Sequence, residues 1–170
     1  YNIAPQYPDL GGLVTTFHKL NIRVILWATS MVDSDSSNFQ AMLDGKFHLT
    51  NAQGEAQLVK WWHGNGLFID YTNPDAVTWW HKQLDNVLNL GIDGWKTDGT
   101  DPSVLLLIDP HTSAGKPITV REYSDAYYYD FFRYTRTKNP SSLIMSRPVD
   151  GVYDALYYNC LLYTSPSPRD

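Results

Sequence analysis

Apolar residues at Leu10, Leu13, Val14 and Phe17 recur at the three-and-four spacing of an amphipathic helix, predicted over residues 9–20. After a break at Asn21, the run RVILW over residues 23–27 is apolar without alternation. Such a run predicts a strand buried on both faces of a parallel sheet. A Ser- and Asp-rich stretch leads to a second helix over residues 37–43, and residues 45–65 are irregular, with a hairpin expected at residues 52–54. LFID, residues 67–70, predicts another buried strand. Asn73-Pro74 opens a helix with a capping side chain and a proline in its first turn. That helix shows Val77, Trp80, Leu84, Val87 and Leu88 on one face and stops at Leu90-Gly91, where glycine suits a left-handed cap. Residues 93–98 then read as a short strand ending on a carboxylate. A long loop with Pro102, Pro110, Gly115 and Pro117 follows, of a length usually found in functional or disordered segments. A Tyr-rich helix over residues 124–138 ends at Asn139-Pro140, and LIM, residues 143–145, is the last strand, leading to Ser146-Arg147.

Four strands separated by helices imply an α/β fold with a parallel sheet and right-handed crossovers. The sheet is either doubly wound or part of a (β/α)8 TIM barrel. In both, ligands bind at the carboxyl ends of the strands. Those ends carry Trp27, Asp70, Asp98 and Arg147, and an aromatic, two carboxylates and a guanidinium on one rim suit a sugar. Neither GxGxxG nor GxxxxGK occurs, so no phosphate-cradling turn points to a nucleotide cofactor.

Composition and the two ends of the sequence sharpen this picture. Aromatic residues make up 14% of the 170 residues, with six Trp and twelve Tyr, which fits either stacking on sugar rings or an ordinary core. The net charge of −5 and scattered basic residues argue against a nucleic-acid partner. No apolar run approaches the roughly 18 residues needed to span a bilayer. The start, YNIAPQYPDL, has no initiator Met, charged n-region or apolar h-region, so the chain is expected to begin inside a longer protein, its compartment open. Residues 160–170, CLLYTSPSPRD, resemble a translated sequencing adaptor. Residues 1–159 are therefore taken as the native part and the rest as a non-native tail. This leaves no cysteine for a disulfide or a Cys-based metal site.

Asp98 centres the chemistry. A strand-end Asp next to Lys96 and Gly99 suits a nucleophile, a general base, a metal ligand or a structural cap. Asp101, Asp109 and His111 are the available co-ligands, at a spacing that matches no standard metal site, and no metal is expected.

The run GLFIDYTNPDAVTWWHKQLDNVLNLGIDGWKTDGTDP, residues 66–102, resembles the nucleophile region of glycoside hydrolase family 31. That family shows D-[FY]-T-N-P, a helix of similar length and then G-[IV]-D-x-[FW]-K-x-D. LNIRVILWATSMVDSDSSNF resembles the preceding strand and loop, and Ser146-Arg147 the next strand end. The resemblance implies a (β/α)8 barrel, of which this chain holds about half, and a retaining α-glucosidase or α-xylosidase. It implies that Asp98 is the nucleophile and that Lys96 holds the glycone and keeps Asp98 ionised. It further implies that Arg147 binds sugar hydroxyls and that Trp27, with Trp61 or Trp62, walls the pocket around the reacting sugar. The expected partner is a carbohydrate substrate, and no cofactor is implied.

Gly99, Thr100 and Asp101 stand where the family often has an aromatic and D-F-G-E, so the leaving-group side is expected to differ. The acid/base is expected beyond the end of this chain. Asp150 and Asp154 lie too close to Arg147 to match it, and the chain alone is expected to be inactive. An α-galactosidase-like barrel and a non-catalytic sugar-binding barrel are the competing readings. His63 is a candidate pocket residue, while His18 and His81 are expected at the surface or half-buried. Residues 127–129 are expected to be packing tyrosines, and Arg121 is expected to pair with Glu122.

Overall fold

The computed structural model describes residues 5–61, 63–98, 105, 108–146 and 160–161. Asp9 starts the first helix, α1 (Leu10–Lys19), by accepting the Gly12 N–H at 2.8 Å. Strand β1 (Ile25–Thr29) follows, then β2 (Met31–Asp33) and the short helix α2 (Phe39–Asp44). Next come β3 (Val59–Lys60), β4 (Asn65–Phe68) and α3 (Pro74–Leu88). As the dipeptide predicts, the Asn73 side chain caps α3 by accepting the Asp75 N–H, with Pro74 in the first turn. Strand β5 (Gly94–Asp98), helix α4 (Val120–Lys138) and β6 (Leu143–Ser146) complete the main order. A two-residue strand, β7 (Cys160–Leu161), lies beside β6.

The α/β class is as expected, but the sheet differs from the expectation in one respect. The parallel sheet runs in the order β1-β5-β6-β7, without LFID. Its Leu67 and Phe68 instead end β4, at the centre of a second, antiparallel sheet, β2-β4-β3, with Met31 opposite Phe68. The chain leaves β1 through Ser30 straight into β2, and Ile69 N–H donates to Ser30 O at 2.9 Å, drawing LFID to this sheet. An unbroken apolar run reports burial on both faces, and Leu67, Phe68 and Ile69 are buried; it does not name the partner strand. The hairpin expected at residues 52–54 is only a turn, with no strand on either side, closed by Asn51 N–H to Glu55 O at 3.0 Å.

Strand β1 begins two residues later than the apolar run suggests, because its lower end is engaged by Asp93. The Asp93 carboxylate accepts the Val24 N–H at 2.7 Å and meets His18 Nε2 at 2.8 Å, while its own N–H donates to Val24 O. Its carbonyl accepts the Leu143 N–H at 2.8 Å, so one residue ties α1, β1, β5 and β6 together. Trp27 consequently sits mid-strand opposite Lys96, and Thr29 stands at the carboxyl end opposite Asp98.

Burial opposes the charge on Asp93, but the Val24 N–H, His18 and Arg23 outweigh it and hold its carboxyl below the ordinary range. A depressed folded value stabilises the fold above the unfolded pKa, about 3.9, and that stability is lost as pH falls through the folded value. Asp93→Asn is therefore expected to cost about 1–3 kcal/mol at neutral pH. In urea titrations from pH 7 to pH 3, the gap to wild type should close below about pH 4. A gap that is unchanged at acid pH would count against the ion pair.

Side chains alternate across β5. Trp95, fully buried, meets Phe131 of α4 edge-on at 5.7 Å, and Thr97 meets Ser146 at 3.0 Å. Lys96 and Asp98 project to the opposite face, shared in register with Trp27 and Thr29. Helix α4 starts at Val120, earlier than expected, because Thr119 and Glu122 form a capping box. Glu122 is thereby occupied, and Arg121 pairs with Asp125 at 2.8 Å instead of with Glu122. Tyr127 and Tyr128 are fully buried as packing residues, whereas Tyr129 is partly exposed. His18 and His81 each meet a carboxylate, Asp93 and Asp130, from part-exposed helix positions. No helix of the described residues is long and apolar enough to cross a membrane.

Candidate active site

Asp98 closes β5, and its position is held from three directions. The Lys96 ammonium, two residues earlier on the same face, donates to Asp98 Oδ2. The indole N–H of Trp27, from the neighbouring strand, donates to the same oxygen at 3.3 Å. From beneath, the Tyr127 hydroxyl donates to the Asp98 carbonyl at 3.0 Å, with Ala28 O 3.4 Å away, joining the ends of β1 and β5 to α4. The carboxylate retains 14% exposure, enough for a reacting group to reach it.

Trp27 links this carboxylate to a pocket of about 350 Å³. Its ring lies 6.2 Å from that of Trp61, with 15° between the planes. Trp61 is buried and donates its indole N–H to Asp33 Oδ1 at 2.6 Å, while His63 Nδ1 lies 2.5 Å from Asp33 Oδ2. Trp27, Asp33, Asp35, Trp61, His63 and Trp80 are among the lining residues. Apolar ring faces beside carboxylate acceptors suit a polyhydroxylated ring, which offers C–H faces to the aromatics and O–H donors to the oxygens.

The structure brings Trp27, Trp61, Lys96 and Asp98 together, and the candidate His63 is among the residues lining the pocket. Trp62 and Arg147 lie outside the described residues. Asp70 is a correction. It does not converge with Asp98 on the rim; it is fully buried and accepts from Thr72 N–H and Oγ1 and from Ser113 N–H at 2.6–2.9 Å. Its carboxylate is consumed in fixing the turn before α3 to the loop after β5. Asp33 and Asp35 were hidden in the Ser- and Asp-rich run, and the available signal was that this run leaves a strand's carboxyl end. Among the described residues, no three His, Cys, Asp or Glu side chains converge on a point that could hold a metal ion.

Residues 1–149 match the model of the glycosyl hydrolases family 31 TIM-barrel domain. The alpha-xylosidase XylQ of Lactiplantibacillus pentosus is 37% identical over 94 residues, covering 55% of this chain and 12% of that protein. Alpha-glucosidase 2 of Bacillus thermoamyloliquefaciens is 26% identical over 130 residues, covering 72% of this chain and 16% of the relative. The cycloalternan-forming enzyme from Listeria monocytogenes, solved with a pentasaccharide substrate, aligns with a TM-score of 0.68 and 26% identity over 82% of this chain and 14% of that one. The chain thus spans 12% and 16% of the lengths of the two relatives it is compared with. With the family model covering most of the chain, the α-galactosidase-like alternative falls away: the chain belongs to glycoside hydrolase family 31, whose TIM-barrel domain its residues match.

Proposed function

We propose that this segment carries the nucleophile of a retaining α-glycosidase acting on neutral α-linked glucosides or xylosides. The observation that carries the reading is Asp98. It is a strand-end carboxylate, held by the Lys96 ammonium and by the indole of Trp27, which lines an aromatic pocket. In this mechanism an Asp98 oxygen attacks the anomeric carbon and forms a glycosyl ester as the bond to the leaving oxygen breaks. A second carboxyl group, supplied by chain outside this segment and about 5–5.5 Å from Asp98, protonates that oxygen and then activates the water that cleaves the ester. Two inversions give net retention. Lys96 offsets the carboxylate charge and holds one oxygen in place, while Trp27 and Trp61 wall the sugar ring. Trp62 and Arg147 are assigned to the same pocket, Arg147 as a paired donor to sugar hydroxyls.

The names of the relatives, alpha-xylosidase and alpha-glucosidase, support an α-linked substrate. A closed (β/α)8 barrel takes about 250 residues, so turnover is assigned to a longer protein and not to these 170 residues alone. A panel of aryl α-glycosides assayed with the longer enzyme tests the reading. Turnover of a neutral α-glucoside or α-xyloside supports it. Preferred turnover of an anionic α-glycoside contradicts it. Sugar binding without any turnover would make the segment part of a binding protein.

A further inference from the structure

We propose that Asp33 is a positioning residue that sets the aromatic wall of the sugar pocket by fixing the rotation of the Trp61 ring. The inference deepens the reading of Asp98 and rests on it only for the kinetic part of its test.

Asp33 closes β2, and its side chain is 13% exposed. Two N-H-bearing rings from one turn converge on it, Trp61 on Oδ1 at 2.6 Å and His63 on Oδ2 at 2.5 Å. Hydrogen bonds to an ionised carboxylate are about twice as strong as neutral ones. The turn itself is tight, with Trp61 N–H donating to Gly64 O at 3.0 Å. It also sits hard against β2: a methyl group at Gly66 would lie 2.7 Å from Val32 O and 3.2 Å from Asp33 Oδ1. Backbone pairing therefore holds the turn in place, and the carboxylate fixes the rotation of the Trp61 ring.

That rotation matters because Trp61 stacks on Trp27 and Trp27 donates to Asp98. The order His63, Asp33, Trp61, Trp27, Asp98 is one continuous set of contacts from the pocket's far side to the proposed nucleophile. An indole free of Asp33 loses its preferred plane and with it the flat face offered to a sugar. A wall that contacts the sugar in both ground and transition states contributes to binding, so its loss raises KM more than it lowers kcat.

Asp33→Ala in the longer enzyme is expected to raise KM about 10-fold while kcat stays within about 3-fold. Asp33→Asn keeps an oxygen for the Trp61 indole, and its KM is expected to rise less than about 3-fold. A variant that merely folds less well would lower apparent kcat and leave KM unchanged, which would overturn the proposal. Equal damage by Asn and Ala would overturn it too. Near-ultraviolet circular dichroism reads the ring pair without any sugar. Asp33→Ala should lose the component that Trp61→Phe removes, and Asp33→Asn should retain most of it. An unchanged Asp33→Ala spectrum refutes the pinning whatever the enzyme turns over. Activity that survives Asp98→Ala would instead sink the nucleophile assignment and leave the dichroism result standing.

Discussion

Replacing Asp98 with Ala in the longer enzyme is expected to lower kcat/KM on an aryl α-glycoside by at least about 10⁴-fold, roughly 5.5 kcal/mol of transition-state stabilisation. The size follows from what is removed. The other groups around the site bind and orient, and none of the described ones stands where Asp98 stands, at the end of β5 between Lys96 and Trp27. The Ala side chain leaves room for a small anion beside the Lys96 ammonium. Added azide is therefore expected to restore part of the rate by attacking the anomeric carbon itself. The bond from azide nitrogen to carbon forms as the bond to the aryl oxygen breaks, and the product is a β-glycosyl azide. Formation of that inverted product distinguishes a missing nucleophile from a damaged fold, which azide would not repair. Activity within 10-fold of wild type would move the nucleophile elsewhere.

Gly94→Ala is expected to destabilise the barrel segment by at least about 3 kcal/mol, a large share of the roughly 5–15 kcal/mol available to a domain. Gly94 begins β5 with φ at +149°, and a Cβ there would lie 1.8 Å from Leu143 O and 2.7 Å from Leu143 C. Those atoms are backbone of the paired strand β6, so no side-chain rotation relieves the clash. The β5–β6 ladder must open, and it carries the strand that ends at Asp98. Gly91→Ala is the matched control. It also has positive φ, +89°, but its nearest new neighbour is a Val14 methyl at 3.9 Å, so its cost is backbone strain alone, about 1–2 kcal/mol. Urea midpoints of the two variants should differ in that order. Equal midpoints would show that β6 can move aside.

The contrast between these two glycines shows what local pattern carries and what it does not. Gly91 is readable as a helix stop because a left-handed cap is a local property of the chain. The same holds for Asn73-Pro74 at the start of α3 and for the strand that presents Lys96 and Asp98 on one face. Gly94 is needed for a close approach to Leu143, residues away in sequence, and nothing local announces it. LFID failed in the same way, since burial was legible and the choice of β2 as partner was not. Asp70 looked like a second site carboxylate because it follows that strand, yet Thr72 and Ser113 claim both its oxygens. Asp33 was passed over for the opposite reason. It lies in a polar run that reads as solvated loop, and only the fold places Trp61 and His63 against it. The Thr119 and Glu122 capping box was legible and would have placed the start of α4 correctly.

The central claim is that Asp98 becomes covalently bonded to the sugar. Incubating the longer enzyme with an α-glycosyl fluoride fluorinated on its ring slows breakdown of the ester enough to digest the protein and weigh its peptides. The account predicts one added glycosyl mass, confined to the peptide that holds Lys96, Thr97 and Asp98 and localised to Asp98 by fragmentation. A label on any other carboxylate of an enzyme that turns over α-glycosides would contradict it.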